Sequence, residues 1–310
     1  MISEQQLQQW ASAPAATKYK HTHEEIRKAL SAYLSEFAKN NHDYEIKAEN
    51  YEVYLQGSYA NSTNITDDSD VDVVIELKSI FSYDIDQLTE DEKKDFHSYF
   101  PNSSTYKFVQ FKKDVHESLK KYFSGVTVEY GKKSLKIPKN TLRVNADVVP
   151  SFHHRKYGRF TFYTTDQYVS GIKFFNTETN DLIINYPKEH KKNCEALNHD
   201  TEGKFKDSIR IFKNIRKKLK EKGEIDEKIA PSYFIENLIY NCPAPTFNGS
   251  YQSIVINILQ NVLNDSENKS LEYYKCANGQ DLLFLSKNCW NLADAQLFIA
   301  KCANLVLEKI

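Results

Sequence analysis

Asp70 and Asp72 alternate inside the run Asp70-Val71-Asp72-Val73-Val74-Ile75, shortly after a Gly57-Ser58 pair. Side chains at i and i+2 of a strand share a face. The two carboxylates therefore project together, about 6–7 Å apart, while Val71 and Val73 point the other way. Aspartate is disfavoured within strands, and two on one face repel unless a cation neutralises them. Hard divalent ions such as Mg²⁺ take carboxylate oxygens and keep other positions for water and phosphate. With a Gly-Ser turn able to hold phosphate, the stretch Gln56–Glu76 points to nucleotidyl transfer.

A third carboxylate interrupts another apolar run, Leu142-Arg143-Val144-Asn145-Ala146-Asp147-Val148-Val149-Pro150. Asp147 shares the face of Arg143 and Asn145. If this strand pairs beside Asp70–Leu77, three carboxylates converge. Such a set can hold two Mg²⁺ ions, with Mn²⁺ as a substitute, one activating an attacking hydroxyl and one neutralising a triphosphate. Asp147 is also placed to help orient or deprotonate that hydroxyl.

These positions need a scaffold. Thr22-His23-Glu24-Glu25 has the form of a capping box, and Ile26, Leu30, Tyr33, Leu34 and Phe37 follow at helical spacing; they predict a long N-terminal spine helix. Tyr51–Leu55 reads as a strand entering the Gly-Ser turn. A charged insertion follows, residues 78–107, with a second capping box at Thr89–Glu92. Phe108, Phe111, Val115, Leu119 and Phe123 mark a helix covering the sheet. Val126–Tyr130 and Leu142–Val149 read as strands, and Tyr168–Phe175 with Leu182–Asn185 as a hairpin. Beyond Pro187 the pattern turns helical: Phe205–Lys222, Ser232–Tyr240, Gln252–Asn264, Leu282–Ser286 and Ala293–Glu308. The fold class is α+β, a mixed sheet with a long N-terminal helix over residues 1–186 and a helical lobe over 187–310.

The chain's 310 residues carry 41 basic and 42 acidic side chains, a formal net charge of −1. That balance argues against an obligate nucleic-acid partner bound through bulk charge. No apolar run is long enough for a membrane span, and no signal peptide is evident. Five cysteines without a C-x-x-C pair suit reduced thiols in a cytoplasmic protein. His190, Cys194 and His199 lack the fourth ligand that a structural zinc site needs, and no zinc is expected. His153 and His154 read as surface residues after a strand.

Gly57-Ser58, Asp70-Val71-Asp72 and Asp147 resemble the active-site pattern of the polymerase-β-like nucleotidyltransferases. More closely, the chain resembles the CD-NTases, the bacterial cyclic-GMP–AMP-synthase-like and oligoadenylate-synthetase-like group. The stretches Gln56–Asp72, Arg143–Pro150, Asn185-Tyr186-Pro187 with His190 and Asn193, and Pro231-Ser232-Tyr233-Phe234 carry the likeness, the last two narrowing it towards the CdnE-type clade. The resemblance implies that Gln56, Gly57 and Ser58 cradle the triphosphate, that Ser232 touches phosphate, and that Tyr233 stacks on the donor base. The helix Phe205–Lys222 has an apolar stripe (Phe205, Ile209, Phe212, Leu219) and a basic one. Of the basic stripe, Arg210 and Lys213 match triphosphate-reaching positions, whereas Lys217 and Lys220 read as solvent-facing. Asn185 aligns with acceptor-pocket positions, where an amide can pair with uracil or adenine edges.

The activity implied joins nucleoside triphosphates (ATP, with UTP, GTP or CTP) into a cyclic oligonucleotide second messenger in anti-phage defence, releasing pyrophosphate. A separate effector would read the product, and a monomer is expected. Two alternatives stand beside it: a linear-product or single-nucleotide transferase, and a catalytically silent nucleotide sensor.

Overall fold

The structure, a computed structural model, describes residues 2–14, 17–66, 70–285 and 290–307. In chain order its elements are α1 (Glu4–Ala11), α2 (Thr17–His42), β1 (Tyr51–Gln56), α3 (Gly57–Ala60), β2 (Val71–Asp84), α4 (Glu90–Tyr99) and α5 (Phe108–Tyr122). They continue with β3 (Glu129–Tyr130), β4 (Leu135–Ile137), β5 (Ala146–Lys156), β6 (Val169–Phe175), β7 (Leu182–Asn185), α6 (Pro187–Asp200), α7 (Lys204–Glu221), α8 (Ser232–Tyr240), α9 (Tyr251–Glu267) and α10 (Leu292–Leu307). The chain divides into two compact units, one of Ala16–Gln56 and Asp68–Pro187, the other of Met1–Ala15, Gly57–Asp67 and Lys188–Ile310. The helical unit thus also takes two segments from the N-terminal half, one of them the stretch after the Gly-Ser pair.

The first unit is built on a mixed sheet. β1 runs antiparallel to β2, and β2 pairs in parallel with β5. The first residues of β5 also pair with β4 and its later ones with β6, which carries β7. Val71, Val73, Ile75 and Leu77 alternate along β2 and are fully buried. Helices α2 and α5 pack on one another and reach β2 and β5 respectively. Their buried residues recur at four-residue spacing, Ile26, Leu30 and Leu34 on α2, and Phe111, Val115 and Leu119 on α5; this is the stripe an amphipathic helix turns to a core.

Several elements differ from the sequence expectation. The spine helix starts at Thr17, so Thr22 is not a cap: its Oγ1 donates to Lys18 O at 2.8 Å and accepts from Val144 N at 3.2 Å. The capping box at Thr89 and Glu92 does form. β2 continues into the charged insertion as far as Asp84, and β5 runs on to Lys156 beside it. This extension buries His153 and His154, which were expected at the surface. His153 Nδ1 lies 2.6 Å from Glu76 Oε1, and burial, followed by the charge of Lys173, pushes His154 down to about 4. The run from Leu282 is not a helix: Leu282 bridges to Lys275, and residues 283–285 form a turn, while Ser286 lies outside the described residues.

The helical unit has its own apolar core. Phe205, Ile209, Phe212 and Leu219 of α7 pack there with Phe234, Ile235 and Leu238 of α8, Ile254, Ile258 and Val262 of α9, and Phe298 and Ile299 of α10. Leu7 and Ala11 of α1 join the same core. No helix among the described residues is long and apolar enough to cross a membrane.

Candidate active site

In the sheet unit, three residues at the carboxylate end of the strands fall side by side. Gln56 is opposite Asp72 in the β1–β2 register, and Asp72 is opposite Asp147 across β2–β5. Directly opposed residues share a face, so the order across the sheet is Gln56, Asp72, Asp147. Asp70 is two residues before Asp72. Its Oδ1 accepts from Asn145 Nδ2 at 3.0 Å, and Asp147 Oδ1 accepts from Ser134 Oγ at 3.1 Å. Burial, then the charges of Asp147 and Asp70, push the Asp72 carboxyl up to about 7. Gln56 Oε1 is buried with no hydrogen-bond partner among the described residues.

This donor set fits a hard divalent cation. Every candidate atom is oxygen, the crowded carboxylates call for positive charge, and Gln56 leaves an amide oxygen unused beside them. Among the described residues no three acidic or metal-binding side chains are yet gathered closely enough to hold an ion.

Asn185 belongs to the same sheet face. His153 is an even number of residues beyond Asp147 on β5, opposite Ile172, and Ile172 is opposite Asn185. Gly171 is the neighbour that makes room: a Cβ there would stand 2.9 Å from Asn185 O and from the Tyr186 ring. The end of β7 can close on β6 only over a glycine.

In the helical unit, Gly57 opens the short helix α3 with φ +69°, a left-handed backbone that glycine adopts without strain. Asn61 and Thr63 follow it and both bond to one side chain that the sequence reading missed, Glu236 of α8. This carboxylate is fully buried and accepts four bonds. Oε1 receives Thr63 Oγ1 at 2.5 Å and Lys213 Nζ at 2.7 Å; Oε2 receives Asn61 Nδ2 at 3.0 Å and His190 Nε2 at 3.1 Å. Burial alone would raise its pKa, but the Lys213 charge and the His190 hydrogen bond outweigh it and hold Glu236 well below the usual carboxylate range. The signal was present: a lone acid within the apolar run Phe234-Ile235-Glu236-Asn237-Leu238-Ile239, the same kind of interruption that marked Asp147.

The basic face of α7 needs a correction. Lys213 is buried, and its three donors go to Thr63 O, Thr63 Oγ1 and Glu236. Arg210 bonds the carbonyls of Ala11 and Ser62 and the carboxylate of Asp207. As found, neither presents a cation to solvent; both fasten the segment that follows Gly57-Ser58. Lys217 is exposed, whereas Lys220 reaches Glu227. Ser232 and Tyr233 begin α8 and are exposed, Tyr233 at 42%. His190 and Cys194, one turn apart on α6, are buried with Nε2 and Sγ 3.6 Å apart, and His199 is on the surface.

Comparison with known proteins agrees with this geometry. A nucleotidyltransferase-domain family matches residues 34–150, and the cGAS/DncV-like nucleotidyltransferase C-terminal helical domain matches residues 192–307. The cyclic UMP-AMP synthase of Rhodothermus marinus is 38% identical over 283 residues, 91% of this chain and 90% of that protein. Cyclic nucleotide synthase CdnE01 of Staphylococcus haemolyticus is 38% identical over 96% of each chain. The solved structure of the Rhodothermus marinus CdnE c-UMP-AMP synthase with Apcpp and Upnpp matches with a TM-score of 0.84 at 36% identity, over 98% of this chain and 96% of that one. Fold and carboxylate face together define a nucleotidyltransferase. Within that class the chain belongs to the CD-NTase family, in the company of the CdnE cyclic nucleotide synthases.

Proposed function

We propose that the protein joins two nucleoside triphosphates into a cyclic dinucleotide with release of pyrophosphate, and that UTP and ATP are its preferred pair. The observation that carries the reaction type is Asp72, flanked by Gln56 and Asp147 on one sheet face and pushed up to about 7 by burial and then by the charges of Asp147 and Asp70. A protein keeps such crowding where a bound cation relieves it. The base pair is supported by the 38% identity to a cyclic UMP-AMP synthase and by Asn185, whose amide can donate to and accept from a uracil edge.

Asp70, Asp72 and Asp147 would hold two Mg²⁺ ions. When bound, these lower the pKa of the attacking hydroxyl and neutralise the triphosphate. Asn145 and Ser134 orient the outer carboxylates through the bonds described above, so that Asp147 can accept a hydrogen bond from the acceptor ribose hydroxyl. Ser58 and Ser232 offer hydroxyl donors to the donor triphosphate, and the backbone N–H groups after Gly57 add to them. Lys213 through Thr63 and Arg210 through Ser62 keep the segment behind the Gly57-Ser58 turn in place. Tyr233 stacks on the donor base. The product would serve as a second messenger for a separate effector in anti-phage defence.

The test is to incubate the protein with all four nucleoside triphosphates and Mg²⁺, treat with phosphatase and weigh the products. A phosphatase-resistant cyclic UMP-AMP mass is expected. Products that keep removable terminal phosphates would instead establish the linear transferase.

A further inference from the structure

The Tyr233 ring is not freestanding. Its centroid is 5.0 Å from that of His190, with 28° between the planes, an offset stack of the kind aromatic rings prefer. Tyr233 and Glu236 are three residues apart on α8 and so share one helix face. His190, the fourth residue of α6, meets both: its ring lies on Tyr233 while its Nε2–H donates to Glu236. A carboxylate offers only lone pairs, which places the proton on Nε2. Nδ1 is buried and without a partner among the described residues. The imidazole is fixed at one edge by Glu236, which Lys213, Thr63 and Asn61 hold in turn, and it is only 4% exposed. Tyr233 keeps 42% of its surface open. One side of the phenol is covered by a rigid ring, and part of the residue stays open to solvent.

We propose that His190 is a positioning residue for the donor nucleotide, a backstop that holds the Tyr233 ring at the angle at which a base stacks on it. The inference rests on the reading of Tyr233 as the base platform. A phenol at the first turn of a helix is free to rotate about two side-chain torsions. Fixing it before binding removes that ordering cost from the nucleotide's affinity.

Two substitutions separate the ring from the hydrogen bond. His190→Gln keeps an amide donor for Glu236 but loses the ring; His190→Phe keeps a ring behind Tyr233 but loses the donor. Binding of α,β-methylene ATP with Mg²⁺, measured by calorimetry, needs no turnover, and melting temperature is followed in parallel. Tyr233→Ala sets the scale, since losing a base stack weakens binding about 5- to 150-fold. His190→Gln is expected to weaken binding about 3- to 10-fold with little change in melting temperature. His190→Phe should bind within about twofold of the unsubstituted protein although it melts earlier. A merely structural histidine predicts the reverse order, Gln normal and Phe impaired, and that result overturns the proposal, as does normal binding by both. If Tyr233→Ala binds normally, the base-platform reading and the inference fall together. If the analogue binds but no product forms from nucleoside triphosphates, the proposed function falls while the binding series still decides the role of His190.

Discussion

Two carboxylates in this protein are treated in opposite ways. Glu236, in the helical unit, is fully enclosed and receives four hydrogen bonds, one from a lysine, so its charge is held firmly. Asp72, in the sheet unit, is crowded by two other aspartates beside an unpartnered amide oxygen, and its charge is opposed. A buried charge supplied with all its donors from within is architecture. A partly buried charge left among like charges marks a candidate binding site. The contrast separates residues that hold the enzyme's shape from residues proposed to do its chemistry, although both are acids interrupting apolar sequence.

The largest effect expected from breaking this distinction is catalytic. Asp70→Ala with Asp72→Ala should lower pyrophosphate release by about 1,000-fold or more while leaving the melting temperature of the metal-free protein unchanged or raised. A double variant that turns over labelled nucleoside triphosphates at full rate would refute the metal-site assignment.

The next effect is on stability. Glu236→Gln strands the Lys213 ammonium in the interior and should cost about 3–5 kcal/mol in denaturant unfolding. Adding Lys213→Met removes that uncompensated charge and should recover part of the loss. Equal stabilities for the single and double variants would show that the pair is not coupled. Because the folded-state pKa of Glu236 is depressed, its contribution is complete above the unfolded carboxylate value of about 4.3. It is lost as pH falls towards the folded value.

The smallest effect sharpens the comparison by its opposite sign. Asp72 has a raised folded pKa, so the metal-free fold loses stability as pH rises from about 4 to about 7, and the loss is then complete. Asp72→Asn should therefore melt higher than the unsubstituted protein at pH 8, by a few degrees (about 2–4 °C), and no higher at pH 4. A uniform shift across this range would mean that the Asp72 pKa is not raised by folding.

The carboxylate face was readable because alternation has only one outcome: Asp70 and Asp72 in a Val/Ile run must share a side. The Ser232–Tyr240 helix and the Leu182–Asn185 strand were equally legible, bounded by Pro231 in one case and by Asp181 and Pro187 in the other. Arg210 and Lys213 show the limit. Their helical spacing was read correctly, but spacing says nothing of what stands opposite, and here the facing groups are backbone carbonyls and Glu236. His153 and His154 were expected at the surface because the partner that buries them, the continuation of β2 through Asp84, lies in a stretch that reads as part of a charged insertion and not as a strand.

By itself, then, the sequence determined which side chains share a strand or helix face, Asp70 with Asp72 among them, since this follows from local backbone periodicity. Its motifs carried the resemblance to the nucleotidyltransferases; that Asp147 stands opposite Asp72 came from the strand pairing. Only the tertiary structure decided which of those groups are already satisfied. Asn61, Thr63, His190, Lys213 and Glu236 are scattered along the chain and meet through packing, and whether a charge is spent or available depends on the neighbours that packing supplies.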